Sequence, residues 1–243
     1  MKPASDGSRR GAFLRGMAAA LALALFGLCG IIRLIAGDAG GWQRAMAHYA
    51  PPERTGLPAD DYPDMAEMIA SYLSGARERF QYTAVGVDGE SLPCFGEREI
   101  AHMADCRALI RLAGVVCALS GAAAAVLIFF QARAAGRREN LNHAFGRGGL
   151  TGLGIVGVIA GALLVWAAAD FDGLFLAFHR VAFRNDLWLL DPRTDLLIRL
   201  MPQPLFVHLG MKGLLPAAGW MAALAVAFWF VATRQSGKER KET

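Results

Sequence analysis

Leu150–Ala169 reads LTGLGIVGVIAGALLVWAAA, 20 consecutive residues without a charged side chain. At about 1.5 Å rise per residue, a helix of this length crosses the roughly 30 Å hydrocarbon core of a bilayer. Lipid offers no partner to open backbone groups, so a helix is the expected form. Three further windows have the same character: Gly16–Ala36, Ala108–Phe130 and Leu214–Ala232. The 243 residues are 55% hydrophobic and 19% charged, with mean hydropathy +0.35, and the apolar excess sits in these four windows. A soluble single domain and a disordered chain are both excluded. The expected fold is an all-α polytopic membrane protein, with four transmembrane helices, an extracytoplasmic cap and short interfacial helices.

Each span carries a mark. Arg33 and Arg111 lie near span ends, where they can snorkel outward. Pro216 is expected in the first turn of the fourth span, where a missing N–H costs little. Gly152, Gly154, Gly157 and Gly161 line the third, and Gly157-x-x-x-Gly161 is a small-xxx-small pair that suits close helix approach.

Charge near the spans sets orientation. The segments 1–15, 131–148 and 233–243 carry net charges of +3, +3 and +2, whereas 37–107 holds six arginines against twelve acids. The basic segments therefore face the cytoplasm. The expected order is a cytoplasmic tail 1–15, span 16–36, extracytoplasmic cap segment 37–107, span 108–130 and cytoplasmic loop 131–149. Span 150–169, an extracytoplasmic interfacial segment 170–213, span 214–232 and a cytoplasmic tail 233–243 complete it. The protein is expected in the plasma membrane, multi-pass, with both termini inside. The +4 net charge then reflects topology, and no nucleic-acid role is expected. The first window exceeds a usual signal-peptide core of 7–15 residues. Leu28 before Cys29 departs from a lipoprotein cleavage box, so the window is expected to stay as a span. Cys29 and Cys117 fall within spans as small apolar side chains. Cys94 and Cys106 face outward, where a disulfide and two free thiols are both open.

In the first outer segment, Met65, Met68, Ile69 and Leu73 share one helical face. Gln81–Val87, the Asp88-Gly89 turn signal and a short run to Phe95 suggest a hairpin. Gly96–Ile110 reads as a helix entering the second span. In the second outer segment, Phe171, Leu174, Phe175, Phe178 and Phe183 suggest an amphipathic helix at the membrane interface, with Trp188 as an interfacial anchor. Asp191-Pro192 and Met201-Pro202-Gln203-Pro204 are breaks, with a short helix over Thr194–Leu200 between them.

Two histidines lie at the expected outer interface, His102 before the second span and His179 after the third. Imidazole suits proton transfer near neutral pH. Asp105 follows His102 at i+3 and is expected to hold that ring in one tautomer. Glu97 and Glu99 precede it by less than two turns. Arg180 and Arg184 can steady an oxyanion or a lipid phosphate, and Asn185, Asp186, Asp191 and Asp195 follow His179. A metal set of His102, Asp105, His179 and His208 is conceivable, but its spacing is unspecific. There is no GxSxG, HExxH or P-loop, and a serine hydrolase is disfavoured. No span holds an internal acid and the halves do not repeat, which argues against a transporter.

The run Phe175-Leu-Ala-Phe178-His179-Arg-Val-Ala-Phe183-Arg-Asn185-Asp-Leu-Trp188-Leu-Leu-Asp191-Pro192-Arg-Thr194-Asp195-Leu-Leu-Ile198, with Pro202 beyond it, resembles a family of four-span bacterial integral membrane proteins. Glu99-Ile-Ala-His102-Met103-Ala-Asp105 is similar to that family's other motif. Its characterised members are lipoprotein intramolecular transacylases, which make lyso-form lipoproteins. Cys106-Arg107 departs from the Val-Lys common there, a change not expected to touch the chemistry, and 37–95 shows little likeness.

The resemblance implies an acyl transfer within one lipid-modified substrate, a diacylated lipoprotein held beside membrane lipid. The free α-amino group of its diacylglyceryl-cysteine would take the sn-2 acyl chain from oxygen to nitrogen at the outer leaflet. His102 and His179 would be the catalytic acid/base pair, supported by Asp105, Arg180, Asn185, Trp188, Asp191 and Asp195. No cofactor or metal is implied, and a monomer is expected. The competing reading is a non-enzymatic lipid- or lipoprotein-binding assembly factor that uses the same apolar surface.

Overall fold

The computed structural model describes residues 5–85, 91–135 and 141–233. Four helices are long and apolar enough to cross a membrane: α1 (Asp6–Ala36), α5 (Glu97–Ala135), α6 (Leu141–Ala169) and α9 (Gln203–Thr233). Between α1 and α5 lie α2 (Ala39–Tyr49), α3 (Pro52–Thr55), α4 (Tyr62–Ser74), and strands β1 (Thr83–Val85) and β2 (Ser91–Pro93). Between α6 and α9 lie α7 (Phe171–Ala182) and α8 (Leu196–Leu200). All four long helices run past the apolar windows read from the sequence. Polar first and last turns extend a helix readily, because its backbone bonds continue whatever the side chains.

The chain divides into two compact units. The first comprises the described residues of Met1–Gly30, Val115–Ala169 and Leu215–Thr243. Its core joins Ala19, Ala20, Phe145, Leu153, Leu224 and Phe228. Close approach is made at the start of α6, not at the pair expected from the sequence. Gly148 lies against the Phe13 backbone, Gly149 against the Phe228 ring, and Gly152 against Met17 and Ala20. Gly157 and Gly161 face open space, so they make no helix contact. A polar chain crosses this unit: Arg15 donates to Gln131 at 3.0 Å, and Gln131 donates to Asn142 at 3.2 Å. Such pairing is what lets a buried Gln131 persist. Trp220 Nε1 donates to Leu23 O at 2.8 Å, tying α9 to α1.

The second unit comprises Ile31–Gly114 and Asp170–Leu214. The face read on Met65, Met68 and Ile69 is fully buried in α4. It packs with Trp42, Met46, Tyr72 and Phe80. The same core takes Leu196, Leu200 and Leu205 from the segment 170–213, so this segment and 37–107 share one interior. A stretch of about 70 residues is too short to bury such a core alone, and this sharing supplies the missing apolar area. Local stops follow the residue types: α3 ends at Gly56 (φ 77°) and α4 at Gly75 (φ 94°), left-handed positions where a Cβ would be strained. The strands pair antiparallel, Thr83 opposite Pro93 and Ala84 opposite Leu92. The Asp88-Gly89 turn signal lies outside the described residues.

Pro216 requires a correction. Helix α9 begins at Gln203, so Pro216 sits inside it and Pro204 occupies its first turn. The expected break at 201–204 is therefore a helix start, a position that accepts proline. Among the described residues all four cysteines are free, which settles the open question on Cys94 and Cys106.

Candidate active site

The second unit brings His102 and His179 together from helices 77 positions apart in the chain. Their ring centroids are 6.2 Å apart, and each residue is 8% exposed. His102 lies in the polar first turns of α5, six residues before the apolar window at Ala108. His179 lies in the last turn of α7. That helix starts where Asp170 accepts from Gly173 N at 2.8 Å, and its aromatic residues repeat at 171, 175 and 178. The repeat wraps His179 in rings: Phe175 at 4.2 Å, Trp188 at 5.1 Å, Phe178 at 5.2 Å and Phe183 at 5.5 Å between centroids. Phe183 also meets His102 edge-on at 5.1 Å.

This apolar cage disfavours the charged form of both imidazoles. Burial first, and then the neighbouring His179, lower the His102 pKa from 6.5 to about 4, against the opposing charge of Asp105. Burial also lowers the pKa of His179, against the hydrogen bond to Phe175. That bond orients the ring: His179 Nδ1–H donates to Phe175 O at 2.7 Å, leaving Nε2 as the lone-pair end. Among the described residues His102 Nδ1 is buried without a hydrogen-bond partner, and its Nε2 faces Cys106 Sγ at 3.6 Å.

The supporting residues divide. Asp105 does not hold His102. Its Oδ2 accepts from Asn185 Nδ2 at 2.9 Å, because the 183–190 segment brings a ready donor to it. Asn185 also accepts from Leu187 N at 3.1 Å, which shapes the turn leading to Trp188. Trp188 is the residue the site needs most from this stretch, as a wall of the His179 cage. Asp191 pairs with Arg193 at 2.7 Å and Asp195 accepts from Asp191 N at 2.7 Å. Both build the turn before α8 and touch neither imidazole. Arg180 is exposed on the last turn of α7. Among the described residues, no group of three or more His, Cys, Asp or Glu is placed to hold a metal ion, and His208 lies tilted against Tyr49 instead.

Three features were not read from the sequence. Cys106 reaches the site, and its i+4 spacing from His102 was the available signal. The aromatic residues of α7, expected on an amphipathic helix at the membrane interface, partly face His179. Glu99 is buried, and its two oxygens accept from Gly96 N and Leu197 N, each at 2.6 Å.

The lipoprotein intramolecular transacylase Lit family model matches residues 17–206. The fold is similar to the in meso structure of the membrane integral lipoprotein intramolecular transacylase Lit from Bacillus cereus. The TM-score is 0.71 at 16% identity, covering 96% of this chain and 99% of that one. A structure of the same protein with one histidine replaced by alanine gives TM-score 0.65 at 16% identity, covering 94% and 95%. No curated protein sequence matches the chain. At that identity the structures establish the fold, and the family match spans most of the chain. The chain therefore belongs to the lipoprotein intramolecular transacylase family Lit, and is a membrane-integral acyltransferase.

Proposed function

We propose that this chain moves the sn-2 acyl chain of a diacylglyceryl-cysteine lipoprotein onto the α-amino group of the same molecule, with His102 and His179 as the acid/base pair. The observation that carries the assignment is two neutral imidazoles meeting inside one aromatic cage. The reaction needs donor ester and acceptor amine held together, a proton removed from the amine and one returned to the leaving oxygen. The amine nitrogen attacks the ester carbonyl and forms a tetrahedral oxyanion. His179 Nε2, free because Nδ1–H is engaged with Phe175, takes the amine proton. The C–O bond to glycerol then breaks, and a ring N–H of His102 protonates the departing oxygen as the other nitrogen of His102 takes the proton held by His179, which leaves both rings neutral again. The product keeps one chain on glycerol and gains one on nitrogen, with no change in mass.

The site is placed at the outer leaflet of the plasma membrane, with both termini cytoplasmic. The support is the basic character of 1–15, 131–148 and 233–243 against the acidic 37–107. Exposed Phe178, Val181 and Leu189 near the histidines suit contact with acyl chains.

A crossover assay tests the reaction. Two diacylated lipopeptides, one with heavy acyl chains and one with a heavier peptide, are incubated together with purified protein. The expected products have blocked N-termini, unchanged mass and no exchange of acyl chains. Mixed-label products would require an intermolecular route.

A further inference from the structure

We infer that Glu99 is a positioning residue that sets His102 against His179, an inference that rests on the transacylase reading above. Helix α8 lacks a side-chain cap of its own, because Asp195 turns its carboxylate back to Asp191 N at 2.7 Å. Glu99 takes that role from 98 positions away: Oε1 accepts from Leu197 N and Oε2 from Gly96 N, both at 2.6 Å. One buried carboxylate thus joins the first turn of α5 to the first turn of α8. The chain between α7 and α8 is tied to α5 at two further points, Arg98 to Asp186 O and Asn185 to Asp105. All three anchors lie within four residues of His102. The segment they hold carries Trp188, which packs on His179. Glu99 is buried with each oxygen held by a backbone N–H, at the starts of α5 and α8, so its effect on the reaction runs through the two rings. Its removal leaves the buried Leu197 N–H without an acceptor and frees the more exposed Gly96 N–H, and the segment over His179 shifts.

The test uses Glu99→Gln and Glu99→Asp in the full chain. Glutamine presents one acceptor oxygen where two are needed, and aspartate is a methylene too short to span both donors. For each variant, kcat and KM on a diacylated lipopeptide, the melting temperature and the imidazole nitrogen resonances of His179 are measured. The expected result is a fall in kcat of at least about 10-fold, KM within about 3-fold, a cooperative melt and displaced His179 resonances. Wild-type kcat in either variant, a loss confined to KM, or unmoved His179 resonances would overturn the inference. So would both variants losing the fold as a whole, because the bridge is argued to be local. If the wild type itself shows no transacylation, the functional reading fails, and the His179 resonances alone decide the positioning role.

Discussion

At the residue scale, the two histidines share a cage but differ in their bonds. His179 has its Nδ1–H committed to Phe175, whereas His102 has a buried nitrogen without a partner among the described residues. Both pKa values are lowered by burial, so folding favours the neutral rings. The unfolded chain binds more protons below pH 6.5, so this stability is fully present above that value. It is lost as the pH falls toward the folded values, about 4 for His102. The melting temperature is therefore expected to drop from pH 7 to pH 4.5, and His102→Leu to flatten the drop. A wild-type melting temperature that rises on acidification would contradict this account of the cage. Asp105 shows how a short-range spacing rule misleads. The i+3 offset from His102 was visible, but the Asn185 donor comes from 80 positions away, and periodicity carries no record of it.

At the element scale, the long helices were legible because apolar content over 20 residues has one main physical use. Helix α4 was legible from its face, and α7 from its aromatic repeat. The close packing of α6 was not. A glycine pair four apart marks where a helix can be approached, and the structure makes the approach one to three turns earlier, at Gly148, Gly149 and Gly152. The two groups of glycines are expected to respond with opposite sign. Gly148→Ala places a Cβ against the Phe13 backbone and costs about 1–3 kcal/mol. Gly157→Ala meets open space and gains up to about 1 kcal/mol in helix propensity. Unfolding of the two variants in mixed micelles measures both, and equal effects would show that the packing of α6 is misplaced. Pro216 was misread for a related reason: the apolar window marks the lipid-facing part of a helix, and α9 starts 11 residues before it.

At the scale of the whole molecule, one unit has the apolar helix lengths of a membrane body, with Leu119, Val158 and Val165 more than 60% exposed. The other, which holds both histidines, pools the segments 37–107 and 170–213 into a single core. That pooling was not legible, because neither segment's own pattern states where its apolar face is buried. The motif likeness, by contrast, covered the two histidines proposed as the acid/base pair and pointed to the family before any coordinate. In the proposed mechanism the two proton carriers are His102 and His179, the two buried imidazoles, which lie among aromatic rings. Mass spectrometry of a diacylated lipopeptide, incubated in turn with wild type, His102→Ala and His179→Ala, tests this most directly. The account predicts an N-blocked product of unchanged mass from the wild type, and at least about a 100-fold lower rate from each variant at an unaltered melting profile. A wild-type rate from either folded variant would contradict it.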